Sequence, residues 1–117
     1  MIETKLSEKS LVFAARTVKF CVKLNEQTKE NIITRQLLRS STSVGANINE
    51  ANYGISKADF IAKLQIALKE AAESEYWLKL LCKAEYVKED DVSDLIEMCV
   101  ELEKMLTSAL NTAKKNK

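Results

Sequence analysis

Histidine is absent from the 117 residues. Without an imidazole the chain lacks the commonest general base, every Cys-His arrangement and the Glu-x-x-His signature of di-iron bundles. Proline is absent as well, and glycine occurs only at Gly45 and Gly54. A chain so poor in residues that break helices is expected to be all-α, and two isolated glycines provide no Gly-rich phosphate loop. Long apolar runs are also missing: charged residues make up 30% of the chain and leave no stretch able to span a bilayer, so no membrane association is expected. The opening "MIETKLSEKS" has no basic flank leading into an apolar run, so a cytoplasmic protein is expected. The three cysteines, Cys21, Cys82 and Cys99, form no C-x-x-C pair and each falls within an apolar helical stripe. They read as small buried hydrophobes rather than disulfide, redox or metal-binding groups. A chain of this length is expected to make one domain, residues 1–117, with one modest core.

What the chain does contain is helical periodicity. The first helix is expected over residues 7–24, with Ser7 as its cap and Leu6 stapled to Leu11. The second is expected over 28–53 with Thr28 as cap, burying Ile33, Leu37, Ser40, Val44, Ile48 and Ala51. Gly54 should end it in the left-handed conformation. Ser56 then opens "SKAD", a capping box, with Ile55 and Phe60 as staple and a third helix over 56–84. The fourth, over 90–114, carries Val92, Leu95, Ile96, Cys99, Leu102, Leu106, Leu110 and Ala113, and begins with acids that suit a helix N-terminus. Short connections make successive helices antiparallel, which predicts an up-down-up-down four-helix bundle.

Two features of this pattern bear on function. Net charge is only +1, yet residues 5–39 are basic and the remainder mildly acidic. At about 100° per residue Lys5, Lys9, Arg16, Lys19 and Lys23 fall on one strip of the first helix, while apolar residues cover most of the rest of its circumference. In the second helix, "RSSTSVGANINEA" replaces large residues by small ones, which allows another helix to approach closely. Arg39, Ser43, Asn47 and Glu50 line up beside its apolar stripe as a candidate hydrogen-bonded seam. The antiparallel reversal at Gly54 sets Arg39 near Glu70 and Arg35 near Glu75, either as ion pairs at the core margin or as a basic surface that the acids only partly neutralise.

The blocks "RQLLRSSTSVGANINEA", "SKADFIAKLQIALKEAAESEYWLKLL" and "ELEKMLTSALNTAKKNK" resemble the bacterial four-helix bundle proteins of the 23S rRNA intervening-sequence family, over nearly the whole chain. That family is similar in fold to the accessory proteins of diversity-generating retroelements. The resemblance implies no enzymatic activity and no cofactor, and it suggests a homopentameric barrel associated with nucleic acid and a reverse transcriptase. The family's Arg-Ser block falls on Arg39 and Ser40, its Asn and Glu on Asn47 and Glu50, and its helix-three block on residues 67–78. The chain is less basic than the retroelement accessory proteins, which counts against a strong non-specific affinity.

These residues allow three functions. The first is a self-associating nucleic-acid-binding or ribonucleoprotein accessory module, in which Lys9, Arg16, Lys19 and Lys23, with Arg35 and Arg39, meet the phosphates of RNA or DNA. The same strip also reads as an ordinary solvated helix face. It holds no aromatic residues, which argues against base stacking and leaves backbone or shape recognition. The second is a protein-protein scaffold without nucleic acid, with Trp77 as candidate interface anchor, away from the Phe60 stripe; a partly covered surface Trp is the alternative. The third is catalysis by carboxylates such as Glu70, Glu73, Asp91, Asp94 and Glu97, but Asp91 and Asp94 are better explained as acids at a helix start. A non-enzymatic homo-oligomer with no metal is the expectation.

Overall fold

Each apolar stripe forms a helix. The computed structural model describes residues 4–116 and comprises α1 (Thr4–Thr28), α2 (Ile33–Asn52), α3 (Lys57–Lys83) and α4 (Glu89–Lys115). Among the described residues there is no strand. Each helix packs on two neighbours, in the order α1, α2, α3, α4 and back to α1, closing a square of antiparallel helices 49 Å long and 20 Å across. The α2–α3 seam is the most densely packed and the α1–α4 seam the sparsest. Phe13, Leu37, Ile48, Leu64, Leu78, Leu81, Leu102 and Leu106 fill the centre with essentially no solvent exposure.

The small residues of α2 produce the tight seam. Ser40 and Ser74 are fully buried and their hydroxyls meet at 2.8 Å, while Ser74 Oγ donates to the Glu70 carbonyl at 2.9 Å. Both hydroxyls are thus satisfied inside a close helix contact. On the opposite flank of α2 a Cβ on Gly45 would lie 3.2 Å from Ser10 Oγ, so glycine lets α1 approach.

The termini differ from the sequence expectations. Ser7 is not a cap: α1 extends back to Thr4, and the Ser7 carbonyl accepts from Ser10 Oγ at 2.8 Å. The extension buries Leu6 in line with Ser10, Phe13, Thr17, Cys21 and Leu24, whereas Leu11 is 71% exposed and no Leu6–Leu11 staple exists. Thr28 is the last residue of α1 and does not cap α2. That role falls to the Glu30 carboxylate, which accepts from the N–H groups of Ile32 and Ile33 at 2.8 Å each and of Thr34 at 3.0 Å. Burial works against the Glu30 charge, but the three N–H donors outweigh it and hold the carboxyl below its ordinary range.

Neither glycine has positive φ, so Gly54 does not end α2 in the left-handed conformation. It is needed for room, because a Cβ there would lie 3.0 Å from Asp59 Oδ2 and 3.1 Å from the Ala51 carbonyl. Ser56 does cap α3, accepting from the Asp59 N–H at 3.1 Å, but Ile55 is 96% exposed and staples nothing. At the start of α4 the Asp91 carboxylate accepts from the Lys88 N–H at 2.9 Å, in keeping with a helix-start role. The positive φ values belong instead to Lys29 and Glu85, at 65° and 68°.

Glu85 occupies a Schellman turn: its N–H reaches the Cys82 carbonyl and the Tyr86 N–H reaches the Leu81 carbonyl, both at 3.0 Å. A side chain in that conformation carries strain of about 1 kcal/mol that glycine escapes. Glu85→Gly is therefore expected to raise the melting temperature by a few degrees. A decrease would show that the Glu85 side chain contributes more than its backbone strain costs.

Candidate nucleic-acid interface

The cations of α1 lie along the α1–α4 seam. Lys9 Nζ is 3.1 Å from Glu101 Oε1 of α4, and Arg16 reaches Met98 Sδ at 3.8 Å. By the same antiparallel register, Lys19 and Lys23 run toward the acidic first turn of α4, which holds Glu89, Asp90 and Asp91. Among the described residues the ion pairs are Lys9–Glu101, Arg39–Glu70, Arg39–Glu73, Lys63–Glu50 and Lys79–Glu75. Arg16, Lys19, Lys23 and Arg35 belong to none of them, and all four are exposed.

Arg39 stands on the opposite edge of the square, at the α2–α3 seam. Its guanidinium donates to both oxygens of Glu70, at 3.0 and 3.2 Å, and also to Glu73. Hydrogen bonds from Arg39 to Glu70 first, and then to Glu73, hold the guanidinium charge above its already high ordinary range. The Trp77 indole N–H donates to Glu73 at 2.9 Å; that bond, followed by Arg39, keeps the Glu73 carboxyl below its ordinary range against the opposing effect of burial. Engaging a phosphate with Arg39 would mean breaking a forked ion pair to a carboxylate whose side chain is only 10% exposed.

The six predicted cations are thus not brought together. Lys9, Arg16, Lys19 and Lys23 share α1, Arg35 is on the outer face of α2, and Arg39 is bound across to α3. Arg35 does not meet Glu75, whose partners are Lys79 and Glu103. The predicted polar seam is also interrupted. Asn47 Nδ2 donates to the Ser43 carbonyl at 2.8 Å, but Arg39 and Glu50 each cross to α3, Glu50 meeting Lys63 Nζ at 3.0 Å. The continuous buried polar contact is Ser40–Ser74, which the periodicity of α2 alone does not reveal.

Beside the cations α1 leaves apolar surface uncovered. Leu11, Ala15, Val18 and Val22, spaced four, three and four residues apart, are all exposed. Leu11 is 71% and Val22 51% exposed, so this stripe is not part of the core. Val12 lines a cleft of about 420 Å³ together with Lys5, Glu8, Lys9, Met98, Glu101 and Leu102. Trp77 is half-buried against the core and meets Tyr76 edge-on, with ring centroids 5.1 Å apart. Tyr76, at 59% exposure, is the member of the pair that presents its ring to solvent, a residue the sequence reading passed over.

Of the carboxylates considered for catalysis, Glu70 and Glu73 are both occupied by Arg39. Among the described residues no group of three or more His, Cys, Asp or Glu is placed to hold a metal ion. Burial pushes the Cys21 thiol up to about 12 and raises that of Cys99 as well, which suits the buried, unreactive role expected of them. Among the described residues no helix is long and apolar enough to cross a membrane.

Residues 3–108 match the family model described as 23S rRNA-intervening sequence protein. A solved crystal structure from Bacteroides thetaiotaomicron, a protein of unknown function from the S23 ribosomal protein family, is 46% identical with a TM-score of 0.88. The match covers 90% of this chain and 97% of that one. No curated protein matches.

Proposed function

As this chain belongs to the 23S rRNA-intervening sequence protein family, we propose that it is a non-enzymatic, self-associating accessory module of the cytoplasm that binds nucleic acid through α1. The observation that carries this reading is the division of the exposed part of α1 into two strips, one of unpaired cations (Arg16, Lys19, Lys23) and one of uncovered apolar residues (Leu11, Ala15, Val18, Val22). The apolar strip suits a second copy of the chain, and the cations suit phosphates. An apolar α1 face that seats on a different face of the next subunit, such as that around Tyr76 and Ile66, would make a head-to-tail contact, which closes into a ring when its rotation divides the full turn. The resemblance suggests five subunits. A ring would repeat a modest cationic strip around its circumference and turn weak single contacts into useful avidity.

Sedimentation and fluorescence anisotropy test both parts together. Val18→Asp alters an exposed residue and is expected to dissociate the assembly while the helix content stays intact. Binding to a structured RNA or a duplex DNA, measured at about 50 and 200 mM salt, is expected to weaken about 40-fold if three phosphates are neutralised. Arg16→Glu with Lys23→Glu should abolish it. An assembled, folded protein that binds neither nucleic acid at low salt would instead support a protein-protein scaffold, for which the exposed Tyr76 beside Trp77 is the favoured anchor.

A further inference from the structure

The α3–α4 seam holds two carboxyl groups in contact. Glu75 of α3 and Glu103 of α4 face each other at hydrogen-bonding distance, an arrangement that two ionised carboxylates cannot share without a proton between them. Lys79 Nζ is 2.6 Å from Glu75 Oε2, so Glu75 is the member with a cation to keep it ionised. Glu103 Oε2 is shielded from solvent and has no hydrogen-bond partner among the described residues. A buried carboxylate oxygen left alone is costly, whereas a proton on Glu103 supplies the donor that Glu75 can accept.

The remaining groups around the pair do not replace that proton. Cys99 lies one turn earlier on α4 and is fully buried. Its thiol is held neutral by burial first and then by the two carboxylates. Lys104 follows Glu103 in sequence but is exposed on the outer side of α4. The cations of α1 reach α4 on its other edge, where Lys9 holds Glu101, and α2 does not pack on α4.

We propose that Glu75 and Glu103 form a proton-operated clasp between α3 and α4, closed while Glu103 carries the proton and loosened when both are ionised, so that the seam over Cys99 opens. Burial first, and then the contact with Glu75, push Glu103 up to about 7, which places the change near neutrality. Because the folded form binds this proton more tightly than the unfolded chain, its contribution to stability is complete below the ordinary carboxylate range. It is lost as pH rises through about 7.

Amide hydrogen exchange at about pH 6 and 8.5, corrected for intrinsic rates, tests the clasp together with alkylation of Cys99 relative to Cys21 in the same protein. In the wild type, protection of the facing α3 and α4 amides should fall about tenfold over this range, the Cys99-to-Cys21 labelling ratio should rise, and the α1–α2 amides should hold. Glu103→Gln supplies an amide donor to Glu75 at every pH, so both changes should vanish. Glu75→Gln leaves a single charge in the pair and donates to Glu103 when that group is ionised, so the seam should stay closed across this range too. Uniform protection in the wild type, or a Glu103→Gln protein that keeps the drop, would overturn the proposal.

Discussion

Arg39→Ala is expected to lower stability by about 2 kcal/mol. The truncation leaves Glu70, whose side chain is 10% exposed, without the forked pair of N–H donors that now occupies both of its oxygens. Loss of one partner from a fully buried pair costs about 3–5 kcal/mol, but the Arg39 side chain is 47% exposed and solvent screens part of the loss. Arg39→Met combined with Glu70→Leu removes charge from both sides and should recover most of the deficit. The deficit should also shrink in acid. The Glu73 carboxyl is held below its ordinary range, so its contribution is present above that range and disappears as pH falls through its folded value. Chemical denaturation of the three proteins at neutral pH and near pH 3.5 measures all of this. The same variant bears on the proposed interface: Arg39 is across the bundle from the α1 cations, so nucleic-acid binding by folded Arg39→Ala should be unchanged.

Phe13→Ala is expected to cost about 4 kcal/mol, while Leu11→Ala, two residues earlier on the same helix, should be close to neutral. Phe13 has no exposed surface and is the largest side chain that α1 places in the core, so its removal leaves a cavity between helices that cannot collapse without shifting. Leu11 is mostly in water already. In an assembled protein the comparison gains a second use. If Leu11 is covered by another copy, Leu11→Ala should weaken association measured by sedimentation while leaving unfolding of the isolated subunit alone.

The contrast between Leu11 and Phe13 shows how far periodicity reaches. Helix number, order and the buried stripes of α2 and α4 follow from the 3.6-residue repeat, because burial of apolar area dominates and the alternatives were few in a chain without proline. On α1 apolar residues occupy so much of the circumference that the repeat does not say which arc faces inward. Ser10 and Thr17, both polar, turned out to lie on the buried arc. Helix ends were the least legible. Glu30 caps with a carboxylate reaching forward from a loop, a geometry that no spacing rule for Ser or Thr anticipates. Gly54, whose place at a helix end suggests a backbone role, acts instead through the room it leaves, and the left-handed positions fall on Lys29 and Glu85, where the hydrogen bonds of the turn outweigh the strain. The Arg39–Glu70 pair was legible because a short connection fixes the register of two adjacent helices, and Arg35–Glu75 was not, since Glu75 is turned toward α4.

The uneven seams of the square carry a consequence for the order of events during synthesis. The α2–α3 hairpin, joined by a short turn and bound through its serine contacts, can form as soon as α3 leaves the ribosome. Of the four helices α1 is made before the others, yet its second neighbour is α4, the last of the four, and theirs is the thinnest seam. Until α4 emerges, α1 is a leaf hinged on α2 with its other edge open. In that interval the edge of α1 that α4 later covers, around Lys9 and Arg16, is open to a neighbouring chain on the same message, so assembly between nascent copies can compete with closure within one.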